Sequence, residues 1–188
     1  MKERYTTDSL FIIQVLDEDD AETGLSLRDG LFDREIISGE QCFLWRPKSA
    51  ESFMRALKWI CSKIEEEEFA YPIIHIDCHG SVDGVEIGGF DVPWHNFQGV
   101  LNYISELTKD SLVVVLGSCH GFTMADDHIF RPCSLLIASD QKPNGDTLHE
   151  RFIEFYSAIF TGKSVRYALD LINSLPYENH GRFLHWQF

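Results

Sequence analysis

Two short apolar segments, each ending in a reactive side chain near a glycine, constrain the fold of this chain more than any other feature. Residues 71–77 lead into His79 and Gly80, and residues 111–116 lead into Cys119. Both segments are rich in β-branched residues, as is typical of buried strands. Parallel strands of an open α/β sheet present their carboxyl ends to a common crevice. Two adjacent strands of this kind would bring an imidazole and a thiol together, and the simplest chemistry for that pair is a nucleophile–base dyad.

The remaining apolar segments predict a single α/β domain. Strands are predicted at residues 10–16, 41–45, 71–77, 112–117 and 134–138, with an edge strand at 183–188. Helices are predicted from the capping residue Ser49 to about residue 65, after Pro93, and at 147–160 and 164–173. Because strands alternate with helices, the sheet should be mainly parallel and covered on both faces. We therefore expect one domain over residues 1–188, folded as a three-layer α/β/α sandwich.

The spacing between the two reactive residues allows their strands to be neighbours. His79 and Cys119 are 119 − 79 = 40 residues apart. Residues 81–89 predict a small hairpin with Asp83 and Gly84 as its turn. The amphipathic segment that follows predicts a helix that returns the chain to the sheet. A hairpin, a helix and a return strand therefore fit between the two residues.

Charge and cysteine content disfavour a nucleic-acid-binding protein and a disulfide-stabilised one. The 188 residues include 30 Asp and Glu against 16 Lys and Arg, a formal net charge of −14. Nucleic acid is disfavoured as a partner because phosphate binding needs clustered basic residues. The acidity either favours a basic partner or serves only solubility. The five cysteines are odd in number and show no paired spacing, which disfavours a disulfide framework.

Two further features bear on location and on ion binding. No apolar run reaches the ~18 residues of a transmembrane helix and no signal-peptide core follows the charged start, so we expect a cytoplasmic protein without membrane contact. Residues 17–20 form an acidic run after the first predicted strand. That run could bind cations or repel anions, although a solvated loop is the favoured interpretation.

Two alternatives to a dyad remain open from the residues themselves. Cys119 could be an inert buried thiol and His79 a hydrogen-bonding turn residue. A zinc site is the main chemical rival, because several soft ligands occur near the two strand ends: His75, Cys78, His79, Cys119 and His120. However, no C-x-x-C pair occurs, and adjacent residues on a strand point to opposite faces. We therefore expect neither a metal nor another cofactor.

The neighbours of His79 and Cys119 have predicted roles of their own. His75 lies inside its strand and is expected to be a core histidine, and Cys78 is expected to pack on the opposite face. Asp77 lies two residues before His79, so both side chains should share one face of the strand. Asp77 could orient the imidazole, line a pocket or make a structural hydrogen bond. We assign no catalytic role to His120.

Three segments resemble the caspase-like cysteine peptidases of clan CD, especially the CHAT branch and the metacaspases. Residues 76–80 resemble the element in which a strand is followed by His-Gly. Residues 117–121 are similar to the block that carries the catalytic cysteine, shortened by one residue relative to metacaspases. Residues 155–169 resemble the C-terminal CHAT signature of an aromatic pair, a turn with glycine, then Ser-Val and Ala-Leu. Together the segments cover roughly residues 70–172, in the same order and with similar spacing.

The resemblance implies a fold and a mechanism. It implies a caspase-like hydrolase in which Cys119 attacks a peptide carbonyl and His79 acts as general base and acid. It also implies that the backbone amides of Gly80 and Cys119 hold the oxyanion. The expected partner is a protein or peptide substrate, and no cofactor is implied.

The resemblance also bears on the residue before the cleaved bond, P1. The aspartate that helps metacaspases bind a basic P1 residue is replaced by Gly117. Asp140 follows the predicted strand 134–138, where CHAT and separase-like members often place an acidic pocket residue. We therefore expect Asp140 to bind a P1 Arg or Lys, with Asp77 and Asp146 as further candidates; the alternative for Asp140 is a loop-capping role.

Regulation and the main rival function follow from the same comparison. Many CHAT proteins carry helical repeats that control the protease, and none is found here. The resemblance therefore suggests control by a separate regulatory protein, or a small stand-alone protease, in a prokaryotic defence or cell-death module. The alternative is a catalytically inactive binding or scaffold module on the same fold.

Overall fold

The computed structural model describes residues 7–16, 20–66, 69–126, 132–143, 145–174 and 182–187, with the backbone alone for 145–147. The strands are β1 Ser9–Val15, β2 Cys42–Trp45, β3 Pro72–Cys78, β4 Gly84–Ile87, β5 Phe90–Pro93, β6 Val113–Leu116, β7 Leu135–Ser139 and β8 Phe183–Gln187. The helices are α1 Thr23–Asp33, α2 Ala50–Glu65, α3 Trp94–Leu107, α4 Gly145–Phe160 and α5 Val165–Ser174, and a 3-10 helix spans Gly121–Asp126. Across these residues, no helix is both long and apolar enough to cross a membrane.

Six strands form one sheet in the order β2-β1-β3-β6-β7-β8. The first five strands are parallel, and β8 pairs antiparallel with β7 at one edge. In the register of the sheet, Val15 lies opposite Cys78 and Ile76 lies opposite Leu116. The three central strands β1, β3 and β6 therefore end close to the same level, and the residues that follow them meet at one edge of the sheet. The predicted mainly parallel sheet is confirmed.

The two faces of the sheet carry separate apolar cores, because successive side chains of a strand point to opposite faces. One core joins the sheet to α2 and α3 and includes Phe11, Ile74, Ile76, Val114 and Leu116. The other core joins the sheet to α1, α4 and α5 and includes Leu10, Ile12, Ile73, Val113 and Val115. Strands buried on both faces explain the nearly continuous apolar runs in the sequence. The three-layer α/β/α architecture is confirmed.

The hairpin after β3 differs in register from the prediction. Strands β4 and β5 pair so that Ile87 lies opposite Phe90, which makes Gly88 and Gly89 the turn. Both glycines have positive φ angles, +59° and +80°, as two-residue hairpin turns require. The predicted turn residue Asp83 lies instead in a tight turn before β4, where the Ser81 amide donates to the Gly84 carbonyl at 2.8 Å.

Helix α1 was not predicted from the sequence. It contains Gly24 and Gly30, and glycine lowers helix propensity by about 1 kcal/mol relative to alanine. Both glycines permit close packing: a Cβ at Gly24 would lie 3.0 Å from the Ile12 side chain, and one at Gly30 would collide with Ile153 of α4. Tertiary packing therefore compensates for the weak local preference of this segment.

We predict unequal effects of alanine at the two hairpin glycines. Both substitutions place a Cβ in the left-handed region, at a cost of about 1–2 kcal/mol. A Cβ at Gly88 would also lie 2.5 Å from the Ser49 Cα, whereas nothing lies within 4 Å of one at Gly89. Gly88→Ala should therefore lose roughly 1–3 kcal/mol more free energy of unfolding than Gly89→Ala, measured by urea denaturation. Equal losses would show that the Gly88–Ser49 contact does not constrain the hairpin.

Candidate active site

The residues after β3 and β6 border one cleft at the carboxyl edge of the sheet. The cleft has a volume of about 660 Å³, and its lining includes His79, Gly80 and Cys119. His79 directly follows β3, and Cys119 lies three residues beyond β6. Because β3 and β6 are hydrogen-bonded neighbours, the sheet itself brings the imidazole and the thiol to the same opening.

Gly80 allows the two strand ends to approach through their backbones. A Cβ at this position would lie 2.5 Å from the carbonyl oxygen of Cys119 and 3.0 Å from the Cβ of Ser118. Because the first of these contacts is with backbone, no side-chain rearrangement could relieve it. The glycine after His79 is therefore explained by the close approach of the segment that carries Cys119.

The amides of Gly80 and Cys119 lie at the junction between these segments. Gly80 pairs with Val85 in an antiparallel bridge whose two hydrogen bonds are Glu86 N to His79 O and Ser81 N to Gly84 O. Neither of these two hydrogen bonds uses the Gly80 N–H. The Cys119 amide belongs to the residue that carries the sulfur, and its hydrogen bond lowers the pKa of the thiol.

The Cys119 thiol is half-buried. Burial raises its pKa above the usual range, while the nearby Lys142 ammonium and the Cys119 backbone act in the opposite direction. The sulfur is therefore protonated at neutral pH, and its reaction as a nucleophile requires a base. The turn after it is held by His120, whose φ is +53° and whose amide donates to Gln141 O at 3.1 Å.

His79 is a base at the end of the neighbouring strand, and its side chain is 46% exposed. Its Nε2 lies 2.9 Å from Oδ2 of Asp20, in the segment between β1 and α1. A carboxylate only accepts hydrogen bonds, so the neutral imidazole carries its proton on Nε2 in this contact. Its Nδ1 then keeps a lone pair that can accept a proton.

Asp77 is a buried carboxylate in the wall of the cleft, with 2% of its surface exposed. The Thr23 hydroxyl donates to its Oδ2. Burial raises its pKa to about 7, and the hydrogen bond from Thr23 acts in the opposite direction. The other oxygen, Oδ1, occupies the space beside Gly117, where it would collide with any Cβ. A side chain at position 117 would therefore require the Asp77 carboxylate to move.

Asp140, the acidic residue first expected to bind P1, is not among the described residues that line the cleft. Asp140 Oδ1 accepts from the Arg182 amide at 2.9 Å, and its own amide donates to Arg182 O at 3.2 Å. These bonds tie the end of β7 to the start of β8, which is the loop-capping alternative. The side chain of Asp146 lies outside the described residues.

His75 and Cys78 occupy the positions expected of core residues. His75 is 1% exposed and its Nδ1 lies 2.9 Å from the Tyr156 hydroxyl, while burial lowers its pKa to about 3. Its Nε2 is buried without a hydrogen-bond partner among the described residues. Cys78 is 3% exposed, and burial raises its pKa far above the usual range. Within the described chain, no group of three or more His, Cys, Asp or Glu side chains is arranged to hold a metal ion.

The lining of the cleft also includes Asp20, Thr23 and Lys142, polar residues that were not assigned to it from the sequence. Asp20 belongs to the acidic run, whose other members lie outside the described residues. Thr23 begins the helix that the sequence pattern did not predict, and Lys142 lies in a loop with ordinary turn composition. Of these three residues, only Asp20 belongs to a pattern that the sequence showed, the acidic run. Its position beside His79 depends on the order of the strands in the sheet.

No protein-family model matches this chain, and no curated protein matches it significantly. The interpretation of the cleft therefore depends on its own geometry and chemistry.

We predict that Asp77 makes the stability of the fold depend on pH. Its folded pKa of about 7 lies above its ordinary value of 3.8, so the folded state holds this proton more tightly than the unfolded state. Stability is therefore lost as pH rises from about 4 through about 7. Asp77→Asn should remove that loss, which amounts to roughly 4 kcal/mol in full.

Urea denaturation at pH 5 and pH 8 measures this effect, with Asp140→Asn as the matched control. The difference in free energy of unfolding between Asp77→Asn and wild type should grow in favour of the variant from pH 5 to pH 8. A difference that is the same at both pH values would mean that Asp77 is ionised throughout.

Proposed function

We propose that this chain is a cysteine endopeptidase in which Cys119 is the nucleophile and His79 the general base and acid. The observation that carries the proposal is that the two side chains border one cleft, at the ends of adjacent parallel strands. Nucleophile and base must share a site that a substrate can reach, and this arrangement satisfies that requirement.

The cleft residues suggest the following sequence of steps. His79 Nδ1 takes the thiol proton as the Cys119 sulfur attacks the carbonyl carbon of the scissile peptide bond. The amides of Gly80 and Cys119 stabilise the negative oxygen of the tetrahedral intermediate. His79 then gives the proton to the leaving amine, which releases the first product and leaves a thioester. Water, activated by His79, hydrolyses the thioester and regenerates the thiol.

For the P1 pocket, we propose that Asp77 binds a basic side chain. Its Oδ1 faces the position of Gly117, which lacks a side chain, and both residues line the cleft. A guanidinium or ammonium group that enters there would pair with a buried carboxylate. The metacaspase carboxylate missing at position 117 would thus be supplied from the neighbouring strand. The proposal moves the P1 role from Asp140 to Asp77.

The sequence resemblance supports membership of the caspase-like peptidases, close to the CHAT and metacaspase branch. The order of the blocks that contain His79 and Cys119 agrees with such a peptidase. A regulatory protein partner and a role in prokaryotic defence or cell death belong to the same proposal.

The second candidate is a binding or scaffold module without activity. The observation that favours it is the raised pKa of the Cys119 thiol, which limits its reactivity without an effective base. A thiol-directed activity probe separates the two functions. A catalytic Cys119 should label faster than the other four cysteines, whereas a binding module should show no such preference.

The dyad is tested with a positional-scanning peptide library and three variants. We predict that Cys119→Ala and His79→Ala each abolish cleavage while thermal unfolding remains cooperative, because both side chains serve the cleft. Groups that act as a unit lose activity non-additively, so the double variant should be little worse than either single one. Retained activity in either single variant, or additive losses, would indicate a different nucleophile.

The P1 pocket is tested with matched substrates that differ only at P1. We predict that Asp77→Asn lowers kcat/KM for Arg or Lys at P1 by about tenfold or more, since a charge-assisted hydrogen bond contributes on the order of 1.5–3 kcal/mol. A small neutral P1 residue should lose little. Asp140→Asn is the control and should leave both values within about twofold of wild type. A P1 profile that is unchanged in Asp77→Asn, or a library preference for Asp or apolar residues, would reject this assignment.

A further inference from the structure

We propose that Asp20 is a third member of the catalytic unit, which positions His79 and stabilises its protonated form during the reaction. The inference rests on the proposed peptidase function and extends it from a dyad to an Asp20–His79–Cys119 triad. Asp20 acts through His79 and is therefore a positioning residue.

The contact between Asp20 and His79 fixes which nitrogen of the ring is free. Asp20 Oδ2 and His79 Nε2 are 2.9 Å apart, the distance of a charge-assisted hydrogen bond. The carboxylate can only accept, so Nε2 keeps its proton and Nδ1 is the nitrogen available to the Cys119 thiol. When Nδ1 takes the thiol proton, the ring becomes a cation beside a carboxylate that is already in place. The charge that develops on His79 is thereby compensated without movement of the protein.

The order of the strands places these three groups in a row. Asp20 lies in the segment after β1, His79 follows β3 and Cys119 follows β6, and these strands are adjacent in the order β1-β3-β6. The carboxyl ends of three parallel neighbours therefore present a carboxylate, an imidazole and a thiol in sequence across one edge. This is the order in which an orienting acid, a base and a nucleophile must stand.

The segment that carries Asp20 is attached to β3 at a second point. Three residues after Asp20, the Thr23 hydroxyl donates to Asp77, and Asp77 lies two residues before His79. Two side-chain contacts thus connect residues 20–23 with residues 77–79. Between them, Glu22 pairs with Arg46, which follows β2. The Asp20 side chain is 33% exposed, so solvent reaches the pair but does not surround it.

Other charged residues line the two hollows that His79 borders. A second hollow of about 320 Å³ is lined by His79 together with Lys48 and Glu86. Lys142 lines the main cleft with Cys119. Among these described charged residues, Asp20 is the one whose carboxylate has a hydrogen bond to the imidazole.

The chain contains its own reference for a chemical test. Iodoacetamide alkylation, followed peptide by peptide with mass spectrometry, gives the rate at Cys119 relative to Cys61, which is also partly exposed. Asp20→Asn should lower this ratio about tenfold, towards the value in His79→Ala, because an uncompensated imidazolium disfavours the reactive thiolate–imidazolium pair. Asp20→Glu keeps the carboxylate and should therefore retain part of the wild-type ratio of the alkylation rates at Cys119 and Cys61. Glu22→Gln removes the same charge from the same segment without contact to His79, and it should stay within about twofold of wild type.

Two further readouts separate positioning from a general effect on folding. In wild type, the ¹⁵N shifts of His79 should show that the neutral form of the ring carries its proton on Nε2, and this measurement needs no variant. With a cleavable peptide, Asp20→Asn should lower kcat by about 10- to 100-fold with little change in KM, since the carboxylate acts on the charge of the transition state.

The proposal is overturned if the neutral form of the His79 ring carries its proton on Nδ1 in wild type. It is also overturned if Asp20→Asn keeps the alkylation ratio within about twofold, or if Glu22→Gln loses as much as Asp20→Asn. These outcomes are distinct from failure of the peptidase proposal. A wild-type protein that cleaves no peptide, but whose Cys119 reactivity depends on Asp20, would refute the peptidase and support the Asp20–His79–Cys119 arrangement.

Discussion

The close approach of the ends of β3 and β6 is the constraint on which the site depends. Parallel pairing brings Ile76 level with Leu116. The segments that follow the two strands therefore lie side by side, with their backbones in close contact. Two glycines in these segments permit the close contact. Gly80 makes room for the Cys119 carbonyl, and Gly117 makes room for the Asp77 carboxylate. A larger residue at Gly80 would force the backbone segments apart, and one at Gly117 would displace the Asp77 carboxylate.

The negative charge of Asp77 destabilises the folded protein, although the proposed P1 pocket requires it. A carboxylate that is 2% exposed is disfavoured in its charged form, and its pKa of about 7 reflects that cost. One hydroxyl, that of Thr23, donates to it and offsets part of the cost. A group that destabilises the folded state at neutral pH and yet lines a cleft is typical of a functional position. In the proposed enzyme, a basic substrate side chain would provide the missing countercharge.

The parts of the structure that could be predicted from the sequence are those set by local patterns. The strands that end before His79 and Cys119 were found because β-branched, continuously apolar runs mark strands buried on both faces. Helix α1 was missed because Gly24 and Gly30 weaken the helical pattern. These glycines allow close packing against β1 and α4, which the local sequence does not reveal. The hairpin turn was misplaced because the sequence offers two turn signals, and the pairing of β4 with β5 selects Gly88 and Gly89 over Asp83 and Gly84.

The sequence by itself determined the fold class and located His79 and Cys119 after two buried strands. Hydrophobic periodicity, strand ends and nearby glycines are all properties of short segments. Tertiary structure decided which carboxylates accompany His79 and Cys119. Asp140, Asp77 and Asp20 all lie near the ends of strands, and nothing in their local sequence distinguishes their roles. Strand order places Asp20 beside His79, side-chain packing directs Asp77 towards Gly117, and the pairing of β7 with β8 binds Asp140 to the Arg182 backbone. Strand order and register arise from contacts between residues tens of positions apart, so only the folded chain could assign these charges.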